Sequence, residues 1–204
     1  VYFEREKLEK ECFDIFTAEN SFGQNVGIRI QGAGSRREAK KRFSVFARKE
    51  YSGSKWFDST FLEDRRIHSI ALRVGFANSM VPYLVKDRDT VSQEAFPAVV
   101  FLNGEYWYHT YVQEKFSESF FEEKYGIEKD NVLMIKNSLS DTWEDYELYS
   151  QVYSFAQEND LSDQENFEFF CNMIDLQSYI DFSCINAYLA NVDYDINKNY
   201  IMCK

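Results

Sequence analysis

The chain has 204 residues, 45% of them hydrophobic, and its 19 Phe, 14 Tyr and 3 Trp stand against only 2 Pro. This composition excludes a disordered chain and provides enough apolar side chains for one domain or for two small lobes packed together. The formal net charge of −11 argues against a general nucleic-acid-binding protein, because an acidic surface repels a phosphate backbone. No stretch approaches the roughly 18 to 20 apolar residues of a membrane span, so we expect no membrane segment in this chain.

The first part of the chain, to about Lys136, is predicted to be rich in strands, because apolar and polar residues alternate there. Asn103-Gly104 lies between two apolar runs and indicates a tight hairpin, since both residues tolerate positive φ. The predicted strands are Glu9–Phe16, Val26–Gln31, Arg42–Arg48 and Ile67–Val74, followed by a hairpin over Ala98–Val112, with helices at Ser79–Asp87 and Phe116–Tyr125.

After Asn137 the apolar residues recur at helical spacing. Ser162 and Glu165 resemble a capping box at the start of one of these helices. We therefore predict an α+β protein with a β-rich lobe over residues 1–137 and a helical lobe over residues 138–204. The predicted helices of the second lobe are Asp141–Asn159, Asp163–Met173 and Leu176–Asn191.

A glycine-rich turn joins the second and third predicted strands. It contains Gly32, Gly34, Ser35 and Arg36. Such a turn can direct backbone N–H groups at an anion, and the segment Arg29–Lys49 is rich in Arg and Lys, with Glu38 as its one acid. The spacing matches neither a P-loop nor a Rossmann turn, so two interpretations remain: a phosphate site and an ordinary hairpin with a solvated basic loop.

The order of these parts is that of a protein kinase. Phosphoryl transfer needs a lysine on the phosphates, a carboxylate that holds this lysine, an aspartate that receives the hydroxyl proton, and metal ligands. Lys41 begins the strand after the glycine turn, and Glu114 follows the hairpin, from where we expect it to pair with Lys41 across the sheet. Asp193 lies two residues after the last predicted helix, and Asn197 lies four residues further on.

Four segments resemble the CotH kinase family, the spore-coat protein H group of atypical protein kinases. They are IRIQGAGSRREAKKRFSVFARKEY, IALR, FPAVVFLNGEYWYHTYVQEKF and YLANVDYDINKNY, in this order from about Tyr2 to Tyr200. The most specific marker is FLNGEYW followed by an EK pair, and the KK-R-F strand and the NxDxxxN loop agree with it.

The resemblance implies a reduced protein-kinase-like fold whose helical lobe is incomplete in this chain. It also implies an ATP-dependent Ser/Thr kinase that uses Mg²⁺ and acts on protein hydroxyls. Bacterial spore-coat or surface proteins are the implied substrates, and nucleic acid is not an expected partner. The implied location is the spore coat or the cell surface, with the mother-cell cytoplasm as the alternative.

The resemblance also assigns roles to individual residues. Arg73 either contacts phosphate or is a structural arginine at a strand end. The family has a paired Asn-Asn after the catalytic aspartate, whereas the order here is Asn-Lys-Asn, so the metal-binding asparagine stays open. The implied catalytic residues are Asp193, Lys41 and Glu114, the nucleotide-binding residues are Gly32, Gly34, Ser35, Arg36, Lys41 and Arg73, and the metal ligands are Asn197 and Asn199.

One departure from the family concerns the end of the chain. The family continues into a strand pair that carries a further metal-binding aspartate, and this chain stops at Lys204 before any such segment. We therefore expect the parent protein to be a kinase and this fragment to be inactive. The alternative is a noncatalytic spore-coat or cell-surface scaffold that keeps the fold for protein binding.

Overall fold

The computed structural model describes residues 9–17, 21–32, 34–58, 65–75, 77–136, 139–140, 143–191 and 201–203. Within them the protein is α+β, as predicted, with two antiparallel sheets and six α-helices. The chain divides into two compact units, the first formed by residues 1–84 and 93–129 and the second by residues 85–92 and 130–204. The lobe boundary predicted at residues 137/138 lies inside the second unit.

A six-stranded sheet organises the first unit. Its order is β1-β2-β3-β4-β6-β5, and every neighbouring pair is antiparallel. The predicted hairpin is confirmed, and Asn103 and Gly104 both have positive φ at its turn. The strands are β1 (Glu9–Phe16), β2 (Ser21–Ile30), β3 (Phe43–Phe46), β4 (Ser69–Arg73), β5 (Ala95–Leu102) and β6 (Glu105–Glu114).

Short helices connect these strands. A 3-10 helix at Gly34–Arg37 follows β2, and Ser117 caps the third α-helix by accepting a hydrogen bond from Phe120 N. The α-helices of this unit are α1 (Lys49–Ser52), α2 (Ala77–Leu84) and α3 (Glu118–Tyr125).

The second unit contains three helices and three short strands. These are β7 (Met134–Lys136), β8 (Leu139–Ser140), α4 (Trp143–Glu158), α5 (Gln164–Met173), α6 (Leu176–Tyr188) and β9 (Ile201–Cys203). The capping prediction at α5 was wrong by one residue. Asp163 is the N-cap, and its carboxylate accepts from Glu165 N and Asn166 N. Ser162 lies one residue before this N-cap and donates its backbone N–H to Asp160 Oδ1 instead.

Alternate residues of the central strands divide the large sheet into two sides. On the core side, Val45 pairs with Ile70, and both are fully buried. On the opposite side, which we call the polar side, Arg29 pairs with Ser44. Successive side chains of a strand point to opposite faces, so residues that are adjacent in sequence contribute to different environments. Burial of each large aliphatic side chain on the core side contributes roughly 1.5–3 kcal/mol to stability.

Candidate anion-binding site

The register of the large sheet aligns a row of residues on its polar side. Arg29 is opposite Ser44, Ser44 is opposite Ala71, and Ala71 is opposite Gln113. Lys115 follows β6, and its backbone N–H donates to Ser69 O over 3.0 Å. Because Lys115 lies two residues after Gln113, it continues the same side of the sheet. Two cations that are far apart in sequence are thus brought to one place.

A pocket of about 300 Å³ opens at this place. Its polar lining comes from Arg29, Gln31, Gly32, Arg36, Ser44 and Lys115. Three of these side chains are cationic, and no acidic residue is among the described residues that line the pocket. The chain as a whole has a net charge of −11, so the pocket is a local positive region. We expect this region to attract an anion.

The aromatic ring of Phe46 orders the cations beside the pocket. Lys115 Nζ lies 4.8 Å from the ring centroid and Arg29 Cζ lies 5.0 Å from it. Lys115 Nζ is also 3.4 Å from Ser44 Oγ. Each cation–π contact contributes roughly 0.5–1 kcal/mol at such a site. These contacts hold two like charges beside one ring, which concentrates positive potential next to the pocket.

The pocket also contains an acceptor without a donor. Gln31 donates its backbone N–H to Arg42 O over 2.8 Å, but its side-chain Oε1 is buried and has no hydrogen-bond partner among the described residues. An unsatisfied buried acceptor costs roughly 1–3 kcal/mol. A ligand that carries an N–H or O–H donor as well as an anionic group would match this acceptor in addition to the cations.

Two of the sequence-predicted phosphate-binding residues line this pocket. Gly32 has a φ of 94°, which only glycine adopts without strain, and this allows the backbone to turn at the pocket wall. Arg36 lies in the 3-10 helix Gly34–Arg37 that follows. Gly34 and Ser35 belong to the same 3-10 helix, in which only their backbone is described.

Lys41 does not reach Glu114, contrary to expectation. Lys41 Nζ donates to Arg36 O over 2.6 Å and to Glu38 O over 2.7 Å, so it fixes the loop on which Arg36 lies. The register explains the separation. Glu114 is level with Val45, two strands away from β3, and lies on the core side. Lys41 is therefore about 13 Å from it along the strand and about 10 Å across the sheet, which exceeds the reach of the two side chains.

Glu114 forms an ion pair with Arg65 instead. The side chains are 6% and 12% exposed, so both charges are removed from water. Arg65 also lies over the ring of Phe120, with 5.4 Å between Cζ and the centroid. A buried pair of this kind is costly to break from one side, because the remaining charge stays buried without its partner. The role of Glu114 is therefore to form a buried ion pair at the end of the core side.

Arg73 does not line the pocket, although it lies at the end of β4 on the polar side, two residues after Ala71. It is half-buried, and burial, followed by the nearby Arg42, lowers its pKa below the ordinary arginine value. Its Nε has no hydrogen-bond partner among the described residues. The structure therefore does not include Arg73 in the lining of the pocket.

The remaining predicted site residues, Asp193, Asn197 and Asn199, lie outside the described residues. Over the part of the chain that is described, no group of three or more His, Cys, Asp or Glu side chains is arranged to hold a metal ion. Each helix described here is too short or too polar to cross a membrane.

Sequence reasoning missed Arg29, Lys115 and Ser44 as members of the site. Arg29 appeared only as the first residue of the basic segment Arg29–Lys49, without a role at the site, and Lys115 only as the lysine of the EK pair after the hairpin. Their convergence depends on which residues face each other across β2, β3, β4 and β6, and the sequence pattern does not specify this pairing.

A scan against models of protein families finds no match for this chain, and no curated protein matches it.

Proposed function

We propose that this chain is the nucleotide-binding part of an ATP-dependent protein Ser/Thr kinase of the CotH type, with a protein-kinase-like fold. The observation that supports this proposal best is the pocket on the polar side of the sheet, where Arg29, Arg36 and Lys115 meet without an acidic neighbour in the lining. The pocket adjoins the glycine turn that the family resemblance associates with phosphate, and kinase catalysis depends on positioning and charge stabilisation of phosphates.

In this proposal the three cations hold the phosphates of ATP. Gly32 allows the backbone to approach the ligand, and Gln31 accepts a hydrogen bond from a ligand hydroxyl or amine. Lys41 acts as a positioning residue, because its bond to Arg36 O fixes the loop that carries Arg36. ATP bound with Mg²⁺ would supply the phosphoryl group for transfer.

The catalytic and metal-binding roles come from the resemblance alone. Asp193 would receive the proton of the acceptor hydroxyl, and Asn197 or Asn199 would bind Mg²⁺. The acceptor would be a Ser or Thr hydroxyl of a bacterial spore-coat or surface protein. The protein would act at the spore coat or at the cell surface, or in the mother-cell cytoplasm.

A noncatalytic scaffold is the second candidate function, and one observation favours it. The lysine and glutamate expected to form the kinase ion pair are engaged elsewhere, Lys41 with loop carbonyls and Glu114 with Arg65. In this alternative the pocket binds a phosphate-containing ligand, and the fold serves protein binding without phosphoryl transfer.

The adjacent residues Arg36 and Arg37 provide a matched test. Arg36 lines the pocket, whereas Arg37 is exposed and is not part of its lining. Calorimetry with Mg·ATP should show that Arg36→Ala weakens binding about ten- to hundredfold, the value of a charge-assisted hydrogen bond, while Arg37→Ala leaves it unchanged. Equal effects of the two substitutions, or no ATP binding, would contradict the proposed pocket.

A transfer assay separates the two candidate functions. The protein would be incubated with Mg·ATP and a Ser/Thr-containing acceptor protein, and phosphate incorporation would be measured by mass spectrometry. Incorporation that is lost in Asp193→Asn supports the kinase. ATP binding without incorporation supports the scaffold.

A further inference from the structure

A second group of cations surrounds the ring of Trp56, and none of its members lines the pocket. Arg66 Cζ lies 4.7 Å from the ring centroid, Lys55 Nζ 4.9 Å and Lys129 Nζ 5.5 Å. All of these residues belong to the first unit. Three cations around one indole form a dense positive surface, which we call the Trp56 cluster.

Hydrogen bonds from buried groups hold this cluster in place. Gln24, which is only 5% exposed, donates from Nε2 to Trp56 O over 3.0 Å and to Ser52 Oγ over 2.9 Å. Its Oε1 accepts from Asp58 N over 3.0 Å, so both ends of the amide are used. His68 Nδ1 lies 2.7 Å from Lys55 O. The loop that carries Lys55 and Trp56 is thus fixed to β2 and to the segment before β4.

The charges of the Trp56 cluster are only partly compensated. Arg66 pairs with Glu123, and Lys129 pairs with Glu122 over 3.2 Å. No ion pair joins Lys55 to a carboxylate among the described residues. The proximity of Lys129, followed by burial, lowers the pKa of Lys55. Lys55 is exposed, and the Arg66 side chain is 62% exposed, so a partner can reach both.

Arg48 connects the Trp56 cluster to the pocket. Its Cζ lies 5.6 Å from the centroid of Phe46, the ring that also contacts Arg29 and Lys115. On the other side it is close enough to His68 to influence this imidazole electrostatically, and His68 lies edge-on to Trp56 with 6.1 Å between the ring centroids. We call these cations together the basic track, which consists of Arg29, Lys115, Arg48, Lys55, Arg66 and Lys129.

We propose that the basic track is a docking surface for an extended anionic segment of a partner protein, with its negative side chains on Lys55 and Arg66 and its end towards the pocket. The track has cations around two separate rings, which is more than one small anion could contact. A long nucleic acid is a poorer match, because the chain as a whole carries a charge of −11 and repels an extended polyanion. The identification of this segment as part of the acceptor protein rests on the kinase proposed above, whereas the docking itself does not.

The first test measures binding of labelled peptides of equal length by fluorescence anisotropy. A Glu-rich peptide and a phosphoserine-rich peptide present the same kind of charge from two sources, and a Gln-rich peptide is the neutral control. We expect one or both anionic peptides to bind, with an affinity that falls as salt is added, and the stronger of the two identifies the source. Equal binding of the Gln-rich peptide, or tighter binding of a single-stranded oligonucleotide, would overturn the proposal.

The second test compares two exposed lysines of the first unit. Lys55→Glu removes an attraction and adds a repulsion, so we expect about tenfold weaker binding of the anionic peptide. Lys10→Glu makes the same charge change on β1, outside the basic track, and should leave the affinity unchanged. Equal affinities of the two variants would overturn the proposal.

Mg·ATP titrations of the same variants distinguish the docking surface from the proposed function. Lys55 does not line the pocket, so Lys55→Glu should retain ATP binding. If peptide binding depends on Lys55 and the protein does not bind ATP, the docking surface stands and the nucleotide site fails. If ATP binds at the pocket and the anionic peptides do not bind, the docking surface fails.

Discussion

The two sides of the central sheet use alternate residues of the same strands for different purposes. The core side buries Val45 and Ile70 and ends at the ion pair of Glu114 with Arg65. The polar side carries Arg29 and leads to the cations beside the pocket. Because neighbours in sequence point to opposite sides, stability and anion affinity should be carried by different residues and should respond to different substitutions.

The largest expected effect lies at the buried ion pair of the core side. Glu114→Ala should lower the free energy of unfolding by about 3–5 kcal/mol, because the charge of Arg65 stays buried without its partner. Urea denaturation measures the loss. A second substitution, Arg65→Met in the same chain, should restore part of the stability. An unchanged stability together with a lost ATP affinity would instead place Glu114 in the nucleotide site and break the comparison.

A slightly smaller effect is expected from the apolar part of the core side. Ile70→Ala should lower the free energy of unfolding by about 2–5 kcal/mol, since it removes a fully buried side chain and leaves a cavity. Arg29→Gln, on the polar side, is the control and should reduce ATP affinity with little loss of stability. If denaturation showed the larger loss for Arg29→Gln, the division between the two sides would be incorrect.

A moderate effect on ligand binding is expected from the loop that carries Arg36. Lys41→Ala removes hydrogen bonds to Arg36 O and Glu38 O, so Arg36 should be less well positioned. We expect Mg·ATP affinity to fall about fivefold, corresponding to roughly 1 kcal/mol for a hydrogen bond, which is less than for Arg36→Ala. Calorimetry of both variants under one salt condition tests this order. A greater loss for Lys41→Ala would indicate direct contact between Lys41 and the nucleotide.

The smallest expected effect is a pH dependence that originates at His68. Burial lowers the pKa of His68 below the ordinary value of 6.5, and the cations Arg48, Lys129 and Lys55 act in the same direction, against the bond to Lys55 O. The unfolded chain therefore takes up the proton at a higher pH than the native protein does. Above about pH 6.5 His68 is neutral in both states and the free energy of unfolding is at its full value. This free energy decreases as the pH falls from 6.5 through the lower native pKa of His68.

Denaturation curves at several pH values check this expectation. His68→Gln should flatten the decline in stability below pH 6.5, and His109→Gln, at an exposed position of β6, is the matched control. Saturating anionic peptide should raise the native pKa of His68 if it docks on the basic track, which NMR titration of the imidazole measures. A profile that does not change in His68→Gln would assign the decline to other groups.

Much of the fold could be predicted because strand alternation and the Asn103-Gly104 turn are local signals. The anion-binding site could be predicted only in part. Gly32 and Arg36 are close to each other in sequence, so the pattern revealed them. Arg29 and Lys115 meet through strand register, which depends on long-range pairing and has no local signature.

The basic run after the glycine turn suggested several anion-binding residues, but two of its charges are used within the loop itself. Lys41 bonds to carbonyls of its own loop, and Arg42 forms an ion pair with Glu38 over 2.9 Å. Adjacent charges satisfy one another easily because they are close whatever the fold. Of the cations that line the pocket, Arg29 and Lys115 are held in place by strand geometry, whereas Arg36 belongs to the basic run.

Strand β2 sets the distance between two parts of the surface. Gln24 fixes the backbone of Trp56, and Arg29, five residues further along the same strand, lines the pocket. Five residues of an extended strand span about 17 Å. Because five is an odd number, the two side chains point to opposite sides of the sheet, Gln24 to the core side and Arg29 to the polar side. Insertion of one residue between them would move one of the two side chains to the other side, and would separate the anchor of the Trp56 loop from the pocket residue without removing a charge.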